Sequence, residues 1–226
     1  MSFSLHEFEK ISGRKFLNNY DFGNFANSTD SAGKLNTKDE LSMLDSDYRT
    51  IFGPQMEYLD SLFDRETPSV MKIYNGIKYY IEGDYKTLNQ KLCGSYIGKN
   101  KELNSDEQNC VNALNKIFNE IPPLQEPVIV YRGIKTELQE NFLNCQYVST
   151  SLNKRVAIAR FSNFFSCCIL EITIPKGTRV IPIMEYSEWN DEFEVILNRG
   201  GRYEIINIDT IIKPNSYNIV YILPNK

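Results

Sequence analysis

The order of hydrophobic periods along the chain predicts an α+β fold, helices first and strands afterwards. Three observations carry this. Up to residue 121 the apolar residues recur at three- and four-residue steps. From Val128 onward they come in short β-branched and aromatic runs. Only residues 154–163 interrupt those runs with a helical pattern, which argues against a βαβ alternation with a parallel sheet.

Leu5, Phe8 and Ile11 sit at helical spacing, as do Leu41, Met43, Leu44, Tyr48 and Ile51. Between them, residues 24–37 are rich in Asn, Ser, Asp and Gly, the composition of a surface loop or linker. Residues 1–65 therefore read as a helical N-terminal extension, and 66–226 as the main domain. Thr67-Pro68 supplies an N-cap and a proline at the first helical position, ahead of a stripe of Val70, Ile73, Tyr74, Ile77, Tyr80 and Ile81. Ser105 to Gln108 has the form of a capping box, and Val111, Leu114, Ile117, Phe118 and Ile121 follow before Pro122-Pro123 stops the helix. Strands are expected at 128–131, 147–150, 168–174, 179–183, 192–197, 202–206 and 218–223. Lys176-Gly177 and Gly200-Gly201 read as hairpin turns between the later ones.

The composition, 42% hydrophobic and 24% charged over 226 residues, is that of an ordinary globular chain. A chain of this size buries roughly 70% of its unfolded surface and needs no disulfide or metal to fold. The net charge of −4 carries no electrostatic footprint for nucleic acid, and no segment approaches 18 apolar residues, so neither nucleic acid nor membrane is an expected partner. The charged start of the chain lacks a Sec-type signal, so cytoplasmic synthesis is expected. The five cysteines (Cys93, Cys110, Cys145, Cys167, Cys168) form no C-x-x-C, and with the single His6 they cannot make a standard zinc site. They read as reduced, mostly buried thiols of an intracellular protein.

Familiar active sites are excluded in the same way. A Ser-His or Cys-His pair would have to use His6 near the terminus. The stretch from Gly94 to Lys99 has three residues between its glycines, one short of a P-loop, and Asn100 stands where a hydroxyl is needed. No G-x-G-x-x-G follows a strand.

Three strand-associated motifs remain, in the order Tyr131-Arg132-Gly133, Ser149-Thr150-Ser151 and Glu192-Phe193-Glu194. Together with Tyr74-x4-Tyr79, the strand leading to Gly177, and Glu194 to Leu197 before a glycine turn, they resemble the R-S-E class of mono-ADP-ribosyltransferases, in its two-glutamate subclass. The similarity runs from about Pro68 to the end. It is strongest toward the enzymatic components of binary actin-modifying toxins, and phage-encoded transferases share the later part.

The resemblance implies two packed antiparallel-rich sheets with an NAD cleft between them, NAD as co-substrate, and no metal. It implies that Arg132 anchors the pyrophosphate, with Gly133 letting the ligand approach the backbone. Ser149, Thr150 and Ser151 would bind NAD and orient the glutamate. Glu194 would hold the nicotinamide ribose and stabilise the oxocarbenium-like cation, with Ser149 beside it, and Glu192 would prepare an arginine acceptor. Phe161 would pack on nicotinamide, Tyr74 and Tyr79 would line the adenosine side, and Trp189 would meet the protein target. Unlike the toxins, this sequence has no Arg in the loop after Phe161, and Arg160 precedes the aromatic instead.

The chemistry agrees with these assignments. Cleavage at the nicotinamide bond requires negative charge beside a developing cation, and a guanidinium fork suits a pyrophosphate. Arginine, with its pKa above 12, is a poor nucleophile until a carboxylate orients it and accepts its proton. The expected function is transfer of ADP-ribose from NAD to an arginine of a target protein, actin or a transcription or translation protein, by a toxin or effector acting in a host or target-cell cytosol. Two alternatives stay open. One is a catalytically weak NAD-binding or NAD glycohydrolase module acting through a partner. The other is an interaction protein in which residues 1–65 carry the function and the catalytic domain mainly hydrolyses NAD or modifies itself; a nucleic-acid-modifying transferase is opposed only by the acidic charge. Each motif also has a structural reading: Arg132 lying over an edge strand, Ser149 to Ser151 as ordinary strand residues, Glu192 and Glu194 as a solvated strand face, and Trp189, Tyr74 and Tyr79 as packing residues.

Overall fold

A computed structural model of the chain describes residues 38–134, 145–161, 168–187, 192–209 and 215–222. Four helices come first: α1 Lys38–Phe63, α2 Pro68–Glu82, α3 Tyr85–Leu92 and α4 Ser105–Glu120. Strands β1 Val128–Ile134 and β2 Val148–Ser151 precede a short helix, α5 Lys154–Phe161. Five strands complete the fold: β3 Cys168–Ile174, β4 Val180–Pro182, β5 Glu194–Leu197, β6 Arg202–Asp209 and β7 Asn215–Ile222. The helical pattern at Leu5, Phe8 and Ile11, His6 and the linker at 24–37 lie outside the described residues.

Helix starts are fixed by local chemistry. Thr67 Oγ1 accepts from the Val70 amide at 3.4 Å with Pro68 behind it, as the sequence predicts, and Asp84 caps α3 through the Thr87 amide at 3.1 Å. The capping box of α4 sits one residue earlier than the spacing predicts. Asn104 Oδ1 accepts from the Asp106 and Glu107 amides, and Glu107 Oε2 accepts from the Asn104 amide at 2.7 Å. Glu107 is buried, and Lys91 Nζ donates to both its carboxylate oxygens at 2.8 and 2.9 Å, which ties α3 to α4. Where α2 crosses α4, a Cβ on Gly76 would stand 2.6 Å from Ala113 Cβ, so only glycine fits the unshifted contact.

The strands follow the order β4-β5-β2-β1-β3-β7-β6. This is a single hydrogen-bonded order, where the resemblance implies two sheets. Its two halves, β4-β5-β2 and β1-β3-β7-β6, join through the single β1–β2 register pair Tyr131 with Ser151. The pairs are antiparallel except β3 with β7. The glycine turns are not the expected hairpins. Gly177 (φ +88°) and Gly200 (φ +84°) reverse the chain, yet β3 pairs with β1 and β7, and β4 pairs with β5. The apolar strand β3 belongs inside a sheet rather than at its margin, so burial overrides the local turn signal.

The β4-β5-β2 half is covered on both faces. Val180, Val195 and Leu197 pack with Leu44, Tyr48, Phe52 and Met56 of α1. Ile181 and Ile196, pointing the other way, pack with α2 and α4 through Ile73, Ile77, Leu114 and Ile117. Leu59 and Leu62 of α1 join this second cluster. The boundary read at residue 65 thus falls between two helices of one packed body, and α1 is a layer of the core.

The cysteines also differ from expectation. Cys93, the C-cap of α3, forms a disulfide with Cys145, while Cys110 is a buried free thiol and Cys168 is buried in β3. The two bonded residues lie 52 apart, and their proximity follows from α3 packing beside the start of β2, which no spacing rule shows. Cys167 lies outside the described residues. No described helix is long and apolar enough to cross a membrane, and no His, Cys, Asp and Glu cluster able to hold a metal occurs among the described residues.

Candidate active site

All three sequence motifs meet in one row across the junction of the half-sheets. Tyr131 of β1 pairs with Ser151 of β2, and Ser151 pairs on its other side with Glu194 of β5. Adjacent residues complete the set, so strand register alone brings together residues 63 positions apart. A cleft of about 950 Å³ opens over this row. Arg132, Gly133, Ser149, Thr150, Ser151, Glu192 and Glu194 all line it.

Each side chain is held by a specific partner. Arg132 is half-buried, and its Nη1 donates to the Ser149 carbonyl at 2.6 Å, bracing the junction. The Ser149 hydroxyl lies 3.3 Å from the phenol of Tyr80. The other two hydroxyls of the motif serve the backbone of the glutamate segment: Thr150 Oγ1 donates to the Val195 carbonyl at 2.7 Å, and Ser151 Oγ donates to the Glu192 carbonyl at 2.5 Å. Ser149 is thus the member of the triplet whose hydroxyl turns toward the helical wall, and the other two orient the glutamates.

The glutamate segment is not the plain strand expected. Strand β5 begins at Glu194, and Phe193 has φ +49°, the only positive value at a described non-glycine residue. The left-handed residue kinks the chain between the carboxylates. Both nevertheless line the cleft.

Tyr80, Tyr85 and Asn89 of α2 and α3 line the helical wall. Tyr74 and Tyr79 do not line the cleft: Tyr74 packs edge-on against Phe63 at 5.4 Å, and Tyr79 lies against the helical cluster. The signal for the lining pair was present, since Tyr80 and Tyr85 repeat the Tyr-x4-Tyr spacing six residues later. It was hidden because that spacing straddles the break between α2 and α3. Burial raises the Tyr80 phenol far above its ordinary value. Burial also raises Tyr85; Arg132 opposes this, and Glu194 and Glu192 reinforce it. Both phenols are therefore donors at neutral pH. Asn89 braces the wall by exchanging two hydrogen bonds with the Tyr147 backbone, both at 3.1 Å.

Cys93 and Cys145 border the same cleft. Trp189 and the loop from Ser162 to Phe165 lie outside the described residues, as do the side chains of Arg160 and Phe161; Phe161 ends α5. From that helix Val156 and Ala157 reach the cleft.

Residues 71–222 match the family described as ADP-ribosyltransferase exoenzyme. The chain belongs to this family. Among the curated relatives of the chain is the NAD(+)–arginine ADP-ribosyltransferase EFV of Enterococcus faecalis, 29% identical over 150 residues. That match covers 62% of this chain and 29% of the relative, so the chain spans less than a third of that protein's length. Two solved structures share the fold. The ADP-ribosylating toxin BECa of a binary enterotoxin of C. perfringens, solved with NADH, aligns with a TM-score of 0.58 at 16% identity, over 81% of this chain and 48% of that one. The Vis toxin of Vibrio splendidus, solved with agmatine, aligns with a TM-score of 0.58 at 18% identity, over 83% and 87%.

NAD is the co-substrate of ADP-ribosyltransferases, and the donor set here fits it. Two cations, Arg132 and Lys86, a run of hydroxyls, three phenols and two carboxylates share one cleft. These are groups able to receive a diphosphate, ribose hydroxyls and a positively charged ring.

Proposed function

We propose that the protein transfers ADP-ribose from NAD to an arginine side chain of a target protein, releasing nicotinamide. The observation that carries this is the row Tyr131–Ser151–Glu194, which sets Arg132, Ser149 and two carboxylates on one cleft. The name of the E. faecalis relative, and agmatine in the Vis structure, support arginine as the acceptor, because agmatine carries the same guanidinium.

The residues divide the work. Arg132 pairs with the diphosphate, and Gly133 leaves room for close approach. Glu194, backed by Ser149 and Tyr80, places negative charge beside the nicotinamide ribose. The bond from the anomeric carbon to nicotinamide breaks, and its electron pair leaves with the nicotinamide nitrogen. Glu192 holds the incoming guanidinium, aims one nitrogen at the anomeric carbon and takes the proton released as the new C–N bond forms. Tyr85 donates into the same space. In this reading the protein is a toxin or effector that works in a target-cell cytosol after an oxidising environment has closed the Cys93–Cys145 bond.

The test incubates purified protein with labelled NAD, with agmatine and with lysates, beside Glu194→Gln. We expect nicotinamide release with label on agmatine and on a protein band, both reduced roughly 1000-fold in the variant. Release without any labelled acceptor would replace transfer with NAD hydrolysis, and no release from the unaltered protein would refute both.

A further inference from the structure

The positive φ at Phe193 raises the question of what holds the kink. A left-handed non-glycine residue is strained and persists only where its surroundings over-determine it. Here successive carbonyls are restrained. Glu192 O accepts from Ser151 Oγ at 2.5 Å, Phe193 O from the Leu152 amide at 3.1 Å, and Glu194 O from the Ile183 amide at 3.1 Å. The last of these bonds lies one step beyond the β4–β5 register pairs, which end at Pro182 with Val195.

Glu194 O accepts a second bond, at 2.5 Å, from the phenol of Tyr48. Tyr48 belongs to α1, which precedes the segment matched to the family. It is fully buried, and its oxygen also accepts from the Met184 amide at 3.3 Å. Its ring lies 6.1 Å from that of Phe193 and 4.8 Å from that of Phe52. One side chain thus contacts both the kinked residue and the carbonyl that follows it. Burial keeps this phenol protonated, so it remains a donor.

We propose that Tyr48 is a positioning residue that sets the placement of the Glu192 carboxylate relative to that of Glu194, and through it the balance between ADP-ribose transfer and NAD hydrolysis. In an extended strand the pleat alone would fix two glutamates at i and i+2. With a left-handed residue between them their relation depends on the turn, and Tyr48 grips the turn from behind. Loss of the grip lets Glu192, the group that meets the acceptor, drift while Glu194 stays in the β5 ladder. The proposal rests on the transfer reading given above.

The test is Tyr48→Phe in the full chain, which keeps the ring and removes the hydroxyl, beside Tyr58→Phe. Tyr58 is another α1 phenol, bonded at 3.0 Å to Glu120 and absent from the cleft lining, and it serves as the structural control. We expect kcat for transfer to agmatine to fall roughly 10-fold in Tyr48→Phe, with KM for NAD and nicotinamide release by hydrolysis each changed less than about 3-fold. Tyr58→Phe should leave the ratio of transfer to hydrolysis unchanged. Equal loss of both activities in Tyr48→Phe, or an unchanged ratio, would overturn the proposal. Hydrogen exchange at the Leu152 and Ile183 amides reads the turn without turnover. The Met184 amide loses its acceptor directly in Tyr48→Phe and is set aside; faster exchange at Leu152 and Ile183 supports the grip, and unchanged protection there refutes it, even if the unaltered protein proves inactive on NAD.

Discussion

The helical layer α2 to α4, which reaches the cleft through α2 and α3, and the junction of β1, β2 and β5 beneath it are held by partners at different ranges. In the helical layer the capping partners are close in sequence: Thr67 with Val70, Asp84 with Thr87, and Asn104 with Glu107. At the junction they are distant. Arg132 reaches Ser149, Ser151 reaches Glu192 and Tyr48 reaches Glu194, across 17, 41 and 146 positions. Local partners let a helix form its ends wherever it packs, so the layer sets stability. Distant partners fix directions only once the whole fold is assembled, so the junction sets chemistry. Substitutions in one region should therefore move a different quantity from substitutions in the other.

The largest expected effect lies where the two regions are bonded covalently. The Cys93–Cys145 bond joins the end of α3 to the start of β2 and closes a loop of 52 residues. Chain entropy gives such a loop about 4 kcal/mol of stabilisation. In urea unfolding, Cys93→Ser should lose about that much, and dithiothreitol should bring the unaltered protein to the same midpoint. An unaltered protein indifferent to the reductant would show that the bond does not restrain the unfolded chain. Because the bond borders the cleft, KM for NAD should rise along with the loss of stability.

Next in size is a change confined to the junction. Glu192→Gln keeps the size of the side chain and removes its charge. Transfer to agmatine should fall roughly 100-fold, about 3 kcal/mol, while NAD hydrolysis and the melting temperature hold. Equal loss of transfer and hydrolysis would remove the division of labour between the two glutamates.

The same contrast explains what could be read from the sequence. Strand β3 is bounded at Cys168 and Ile174 in both the sequence reading and the fold, because its apolar run is continuous. The motifs around Arg132, Ser149 and Glu194 were legible as residue types, and register then assembled them. Left-handed geometry at Phe193 was not legible, since phenylalanine has no preference for it and the forces that impose it come from α1 and β2. Tyr48 looked like one apolar point on a helical stripe, and only its distant partner distinguishes it. The cleft tyrosines were missed by a shift of six positions, because the Tyr-x4-Tyr spacing occurs twice and the motif carries no information about which pair faces the cleft. The disulfide was missed because the sequence shows five cysteines and no fold.

The smallest effect probes the helical layer alone. At Gly76 a methyl group would meet Ala113 Cβ at 2.6 Å and the Asn109 carbonyl oxygen at 3.0 Å, and both belong to α4. Alanine favours a helix over glycine by about 1 kcal/mol, but overpacking of this kind costs about 1 to 3 kcal/mol, so Gly76→Ala should lose up to about 2 kcal/mol net. The double variant with Ala113→Gly removes the closer contact and should recover part of the loss, a coupling that a double-mutant cycle measures. Tyr80 lies four residues further along the same helix, with its phenol 3.3 Å from the Ser149 hydroxyl. A rigid shift of α2 would carry that phenol with it and change turnover. Turnover per folded molecule within about 2-fold of the unaltered protein would show that the layer yields locally and leaves the junction in place, as expected if its partners are local.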